Sequence, residues 1–267
     1  MAQPGYVMVQ GGAKSRGSRG MVEFNGSNTY LSILDDFTDD FETYPNDITA
    51  VWWMTSDVST RMGIFGIVQG IGDSDGFRIE QQSNRALRVI VGEDVSGTNL
   101  NFESDNQNVI SSGVACYMVS TNRGADGSGG TISVYRNDTQ IAMSRNPTTT
   151  GNLDHGPGYF ILGRLAKNFS SESFDGCINR VWIDQRTVDF SVEANRRKFV
   201  SASGQRVDYG TDGSKPFGTQ PKIFINGDSS TITQHGSISF SSSNLTRSNL
   251  TDCTTTLPFV SPSNSYI

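Results

Sequence analysis

Apolar side chains recur along this chain in short runs, and several runs alternate with polar positions. Residues 77–80 and 132–136 alternate with a period of two, the pattern of a strand with one buried face. Residues 48–54 are almost continuously apolar, as expected of a strand buried on both faces. The runs return roughly every ten to fifteen residues, with turn-forming residues between them, and this rhythm predicts an antiparallel sandwich or barrel.

The same reasoning predicts further strands and one short helix. The further strands lie at 22–24, 30–33, 64–68, 87–91, 114–119, 140–142, 160–162, 178–183 and 222–225. Ser191 is the expected N-cap of the helix, and Glu193 lies in its first turn. Basic residues at 196–198 fall near its end, where they suit the helix dipole.

Composition divides the chain into three zones. Residues 1–20 combine Gly with basic residues and predict an N-terminal arm. Residues 21–227 hold the strand series, the helix and a loop, and predict one all-β domain. Residues 228–267 are dominated by Ser, Thr and Asn, with 238–240 as their one convincing strand. This zone predicts an extension that is extended or docked on a neighbour, because it has few apolar residues of its own.

Charge excludes some partners and suggests others. The formal net charge of −6 disfavours nucleic acid, which requires clustered cations. Lys14, Arg16 and Arg19 form a local exception that could dock onto an acidic protein surface or remain a solvated arm. No apolar run approaches the ~18–20 residues of a membrane span, so no membrane partner is expected. Residues 1–12 lack the pattern of a signal peptide, so export by that route is not expected.

The three cysteines are far apart in sequence and form no C-x-x-C pair, which disfavours a zinc site. Cys116 and Cys177 lie in apolar runs and are predicted to be buried thiols. A chain of this size does not need a disulfide scaffold, so assembly in a reducing cytoplasm is expected.

Three stretches, taken in order, resemble the concanavalin A-like, laminin-G-type jelly-roll superfamily. They are F-N-G-S-N-T-Y-L at 24–31, G-T-I-S-V-Y-R-N at 130–137 and F-D-G-C-I-N-R-V-W-I at 174–183. The resemblance covers roughly residues 21–190 and implies an antiparallel jelly-roll sandwich. The segment at 195–221 resembles the stretch that comes after such domains in structural proteins of tailed bacteriophages.

The resemblance makes calcium the best cofactor candidate, although a chain with no cofactor remains the first expectation. Ca²⁺ takes six to eight oxygen ligands from loops. Candidate ligands in Gly-rich loops are Asp73, Asp75, Asp126 and Asp154. The alternative is that these aspartates stabilise turns.

Catalysis is not expected. Retaining glycosidases of the superfamily carry an E-x-D-x-x-E strand, and no two of the seven glutamates are spaced to form it. His155 and His235 are the two histidines, which leaves little for a general base or a metal site. The G-x-S-x-G sequence at 72–76 matches a nucleophile elbow, but a strand rather than a helix is predicted to follow its serine.

Trp52 and Trp53 are the candidate ligand-binding residues. Neighbours in a strand point to opposite faces, so one ring is expected in the core. The other could stack on a sugar at an open face, or lie under the helix.

Three functions are consistent with these observations. The leading hypothesis is a non-catalytic virion component, such as a capsid decoration, head fibre or tail-associated protein, assembled in the bacterial host cytoplasm. Its arms and edge strands would attach it to capsid or tail proteins and to copies of itself. The alternative is a carbohydrate-binding module for adsorption to cell-surface glycan, and the third is a glycan-active enzyme.

Overall fold

A computed structural model describes residues 20–34, 47–68, 76–92, 100–122, 131–146, 159–164, 172–238 and 245–254. These residues form seventeen strands and one short helix, α1 (Glu193–Arg196). The strands are β1 (Val22–Asn25), β2 (Tyr30–Leu34), β3 (Ile48–Thr55), β4 (Met62–Val68), β5 (Gly76–Gln81), β6 (Leu87–Gly92), β7 (Leu100–Ser104), β8 (Ala115–Asn122), β9 (Thr131–Arg136), β10 (Thr139–Ile141), β11 (Met143–Asn146), β12 (Tyr159–Leu162), β13 (Asp175–Asp184), β14 (Ile223–Asn226), β15 (Thr233–Gln234), β16 (Leu245–Ser248) and β17 (Thr251–Asp252).

The strands pair into two antiparallel sheets, which confirms the predicted all-β jelly-roll sandwich. One sheet has nine strands in the order β10-β9-β8-β3-β13-β1-β17, with β14 and β15 branching from β13. The other has eight strands in the order β11-β7-β6-β5-β4-β12-β2-β16. We refer to them as the nine-stranded and eight-stranded sheets.

The core lies between the two sheets and is built from their inward-facing residues. Trp52 of the nine-stranded sheet meets Phe65 of the eight-stranded sheet edge to face, with ring centroids 5.1 Å apart. Phe77 and Phe160 extend this aromatic contact along the eight-stranded sheet. All four side chains have no exposed surface. Burial on this scale is the main force that holds the sandwich closed.

A third layer, made by residues 185–222, covers the outer face of the nine-stranded sheet. Its buried residues include Phe190, Phe199 and Tyr209, which pack on the side chains that β3, β8 and β13 direct outward. Phe199 contacts Trp182 edge to face at 5.2 Å. The central strands β3, β8 and β13 are therefore buried on both faces, and the continuously apolar sequence of β3 reflects that position.

The helix begins without the predicted cap. Val192 is its N-cap residue and makes no side-chain cap hydrogen bond. The Ser191 hydroxyl donates instead to Oδ1 of Asp189 at 2.6 Å, in a local turn that precedes the helix. The predicted charge order is confirmed, since Glu193 lies in the first turn and Arg196 in the last.

The described part of the 228–267 zone packs against its own domain. β15 pairs with β14, β16 pairs with β2, and β17 pairs with β1. The expected strand at 238–240 is not seen at Ile238, and its other two residues lie outside the described range. A polar segment with few apolar residues can still form strands when it adds to existing sheet edges, because the backbone supplies the hydrogen bonds.

The cysteine prediction is wrong for Cys177 and correct for Cys116. Cys177 on β13 forms a disulfide with Cys253, which follows β17, across a sequence separation of 76. Cys116 is a buried free thiol. The two cysteines come together because β1 pairs with β13 on one side and with β17 on the other. Their spacing along the chain therefore does not predict the disulfide.

Candidate functional site

A polar cleft of about 290 Å³ opens between the loop joining β7 to β8 and the hairpin joining β9 to β10. One wall is a loop, and the other is a hairpin that includes the end of β9 and the strand β10. The lining residues are Asn106, Gln107, Asn108, Val109, Arg136, Asn137, Thr139, Gln140 and Ile141.

The first wall is the loop after β7, and the turn between β5 and β6 holds it in place. Asn108 has a φ of 60°, in the left-handed region that asparagine tolerates better than most residues. Its backbone N–H donates to the carbonyl oxygen of Asn84 at 3.0 Å. The N–H of Ile110 donates to the carbonyl oxygen of Arg85 at 3.1 Å. The loop backbone is therefore anchored at two points.

The second wall is the β9–β10 hairpin, which Asn137 fixes to β8. Asn137 has a φ of 53°, as the tight reversal requires. Its side-chain Oδ1 accepts a hydrogen bond from the N–H of Cys116 at 2.9 Å, and its own N–H donates to the Cys116 carbonyl at 2.8 Å. This asparagine is occupied by structure, so it shapes the cleft wall while other residues offer the free groups.

The floor of the cleft is apolar and rests on the core. Val109 and Ile141 are buried members of the main core cluster. The hydroxyl of Tyr117 donates to the Val109 carbonyl at 3.3 Å, and the Tyr117 ring stacks on Trp52 with centroids 5.5 Å apart. Burial raises the pKa of Tyr117 to about 12, so the hydroxyl remains protonated and able to donate.

The free groups of the cleft are mostly neutral amides. The side chains of Asn106, Gln107 and Gln140 are exposed and hydrogen-bond no other described residue. Each amide offers two N–H donors and one carbonyl acceptor. Such groups match ligands rich in hydroxyl groups, which also donate and accept. No carboxylate lines the cleft, so its described residues hold no acid–base pair for glycoside hydrolysis.

The structure places Trp52 and Trp53 in packing roles, so the prediction of an exposed sugar-stacking ring is corrected. Both side chains have no exposed surface. Trp52 lies in the core between the sheets. Trp53 lies under the third layer, and its indole N–H donates to the hydroxyl of Tyr209 at 3.0 Å. The two rings do point to opposite faces, as expected, but both faces are covered.

Several other predicted site residues lie outside the described residues. These are the four calcium candidates Asp73, Asp75, Asp126 and Asp154 and the arm residues Lys14, Arg16 and Arg19. The calcium and arm hypotheses therefore remain predictions. Among the residues that the structure does describe, no three His, Cys, Asp or Glu side chains are grouped to hold a metal ion. No helix in the described ranges is long and apolar enough to cross a membrane.

The G-x-S-x-G sequence leads into a strand, as predicted. Its last residue, Gly76, begins β5 with a φ of 115°. A Cβ at this position would lie 2.0 Å from the carbonyl oxygen of Ile67, so the glycine permits a close strand approach. The strand–serine–helix order of a nucleophile elbow is absent here.

Two glutamates that are distant in sequence do come near each other. Arg61 forms ion pairs with Glu80 at 3.4 Å and with Glu172 at 3.1 Å. Arg78 and Arg88 also approach Glu80, whose side chain has no exposed surface. The group is a salt-bridge network that joins β5 and β6 to Arg61 and Glu172, and each of its two carboxylates is paired with a guanidinium group.

The cleft was not predicted from the sequence. Asn137 ends the motif at 130–137 and Gln140 begins the strand predicted at 140–142, but no binding role is predicted for either residue or for 106–108. The run Asn106-Gln107-Asn108 places three side-chain amides in a row, and this is the sequence feature that could have indicated a polar binding site. That run meets Gln140 through sheet pairing, which no local pattern reports.

No family model matches the chain, and no curated protein matches it. Similar solved structures do exist. A protein from Bacteroides ovatus that is proposed to bind carbohydrate is 13% identical with a TM-score of 0.50, covering 91% of this chain and 63% of that one. This chain thus spans less than two thirds of that protein.

Two further similar structures score lower. A heptameric SAP-like pentraxin from Limulus polyphemus is 14% identical with a TM-score of 0.44, covering 64% of this chain and 79% of that one. The CBM40 of a Ruminococcus gnavus sialidase, bound to α2,3-sialyllactose, is 10% identical with a TM-score of 0.46, covering 64% and 91%. At these identities a likeness bears on the fold alone, and the fold of this chain is a jelly-roll sandwich.

Proposed function

We propose that this chain is a non-catalytic carbohydrate-binding module that holds a glycan in the cleft between the β7–β8 loop and the β9–β10 hairpin. The observation that carries the proposal is the lining: neutral amides with free donors and acceptors stand above an apolar floor. Sugars present hydroxyl groups along their edges and C–H groups on their faces, so both parts of the lining have a partner.

Two features of the structure support this proposal. The walls are anchored by backbone hydrogen bonds from Asn108 and Asn137, so little ordering would be needed on binding. The jelly-roll sandwich is also the fold of the Bacteroides ovatus protein that is proposed to bind carbohydrate. The cleft residues lie at one end of a rigid body, where a glycan chain can reach them.

The test is a glycan array followed by calorimetric titration of the strongest glycan. We expect the double variant Gln107→Ala, Gln140→Ala to bind at least about tenfold more weakly, because it removes neutral hydrogen bonds from both walls. Both side chains are exposed and free of protein partners, so the fold should be unchanged.

A matched control is Gln220→Ala, which removes an exposed amide from the third layer, away from the cleft. This variant should bind like the wild type. A blank array, or equal binding by the double variant and the wild type, would overturn the proposal.

The virion hypothesis draws its support from the resemblance of 195–221. In the structure these residues belong to the third layer, with Phe199, Tyr209 and Phe217 packed on one another. They serve the packing of this chain, so their composition needs no external partner. The Cys177–Cys253 disulfide is typical of proteins that mature in an oxidising compartment, and we propose such a location in place of the bacterial cytoplasm.

A further inference from the structure

The cleft contains a cation as well as amides. Among the described residues that line it, Arg136 alone carries a charge. Its side chain is half-buried at the end of β9, opposite Tyr117 in the sheet register. A half-buried charge is costly unless a group of opposite charge or several hydrogen bonds offset it.

No described carboxylate makes an ion pair with Arg136. Most other cations near acidic residues are paired: Arg196 and Arg197 both bind Asp138, and Arg186 binds Asp184. Asp138 is close to Arg136 in sequence, but its carboxylate is taken by the two arginines of the third layer. Although its partial burial acts to raise it, hydrogen bonds from Arg197 and Arg196 hold the pKa of Asp138 below its ordinary value. Arg136 is thus a lining residue of the cleft whose charge no described carboxylate offsets.

The guanidinium of Arg136 is also oriented. Its Nη2 donates a hydrogen bond to the hydroxyl oxygen of Ser111, beside the first wall. One nitrogen is therefore used to fix the plane of the group, and the other N–H donors remain for a ligand. A planar guanidinium with parallel N–H donors fits a carboxylate better than any neutral hydroxyl group.

We infer that the cleft is selective for an acidic glycan, with a sugar carboxylate on Arg136 and sugar hydroxyls on Gln107 and Gln140. This inference rests on the proposed function and names its ligand class. The ligand then supplies the counter-charge that the protein lacks at this position. The chain as a whole is acidic, so the preference arises from this local group and not from net charge.

The test uses an array on which each acidic glycan, bearing a uronic or sialic acid, stands beside its neutral parent. The parents are the carboxyl-reduced or desialylated forms. We expect the wild type to prefer the acidic member of at least one pair by about tenfold or more, because charged hydrogen bonds are stronger than neutral ones. The preference should shrink as salt rises.

Three variants locate the effect, each checked for an unchanged melting temperature. Arg136→Gln should bind the acidic member of a pair no more tightly than its neutral parent, and Arg136→Lys should retain part of the preference. Arg247→Gln, which removes an arginine from the opposite edge of the eight-stranded sheet, should keep it in full.

The outcomes separate the two proposals. Equal binding of acidic and neutral members, or a preference that survives in Arg136→Gln, overturns the acidic-glycan inference and leaves carbohydrate binding standing. Absence of binding to every glycan overturns both. If Arg136→Gln melts early, the salt dependence of the wild type and the Arg136→Lys result decide the inference.

Discussion

Trp52 and Trp53 show how the position of a residue within one strand decides which layer its side chain packs in and whether it is hydrogen-bonded. They are adjacent in β3, and both are fully buried, but they lie in different layers. The indole N–H of Trp53 donates to Tyr209, whose hydroxyl in turn donates to the carbonyl of Phe199. The indole N–H of Trp52 has no hydrogen-bond partner within the described residues. Both rings are therefore packed in the interior, but only the indole N–H of Trp53 is hydrogen-bonded within the described residues.

A pair of conservative substitutions tests this difference. We expect Trp53→Phe to destabilise the protein by about 1 kcal/mol more than Trp52→Phe, because it also removes a buried hydrogen bond. The measurement is the free energy of unfolding in urea for both variants. Equal losses would mean that the Trp53–Tyr209 hydrogen bond contributes nothing to stability.

The residue scale also explains why alanine is a poor probe of ligand binding at these positions. Trp→Ala in a core typically costs about 3–5 kcal/mol, which is a large part of the stability of a domain. Loss of glycan binding in such a variant would report unfolding. The cleft residues Gln107 and Gln140 are free of that problem because they are exposed.

At the scale of elements, the C-terminal strands close the sandwich at one edge. β16 extends the eight-stranded sheet at β2, and β17 extends the nine-stranded sheet at β1. The Cys253 N–H donates to the carbonyl of Met21 at 2.8 Å, and its sulfur is bonded to Cys177. Edge strands are open to pairing with other chains. The disulfide therefore holds the short segment 245–254 in place, where its strands cover the β2 edge of one sheet and the β1 edge of the other.

The disulfide gives a definite thiol count. We expect no reactive thiol in the native protein, one after denaturation without reductant, and three after denaturation with reductant. The native thiol is protected because burial raises the pKa of Cys116 far above its ordinary value. Thiol titration with a chromogenic disulfide reagent measures all three states. Three reactive thiols without reductant would contradict the pairing.

Loss of the disulfide should destabilise the fold. Closing a loop of this length stabilises by about 4 kcal/mol in the chain-entropy model. We expect the double variant Cys177→Ser, Cys253→Ser to melt at a lower temperature and to be cleaved first by protease near residues 245–254. Cys116→Ser is a control that leaves the disulfide intact.

At the scale of the whole molecule, the stability of the fold should depend on pH through carboxylates whose pKa values are shifted in opposite directions. Burial, together with the charges of Asp57 and Glu23, raises the pKa of Asp175 above its ordinary value. A raised folded-state pKa gives stability that is full below the unfolded pKa and lost as pH rises through the folded one. The lowered pKa of Asp138 gives stability that is present above the unfolded pKa and lost as pH falls through the folded one.

Unfolding in urea at about pH 3 and about pH 7 tests both signs. We expect Asp175→Asn to be more stable than the wild type at neutral pH and to lose that advantage in acid. Asp138→Asn should be less stable than the wild type at neutral pH and should match it in acid. The same direction of change for both variants would contradict the assignment.

Much of the architecture was predictable from local pattern. The alternation at 132–136, the apolar run at 48–54 and the motif at 24–31 are local properties, and the strands β9, β3 and β1–β2 follow them. β7 and β11 were missed, because Leu100–Ser104 and Met143–Asn146 carry too few apolar residues to show a clear period. Both are strands because they pair with each other at one end of the eight-stranded sheet.

The sequence by itself determined the fold class and the absence of a glycosidase motif, since both depend on residues close together in the chain. Tertiary structure decided the layer of each tryptophan, the Cys177–Cys253 disulfide and the candidate cleft. Gln107 and Gln140 are separated by more than thirty residues, and they line one space because the strands between them return the chain to the same end of the sandwich. Strand pairing brings distant residues together through backbone hydrogen bonds. Because every residue type has the same backbone, the pattern of side chains does not predict which strands pair.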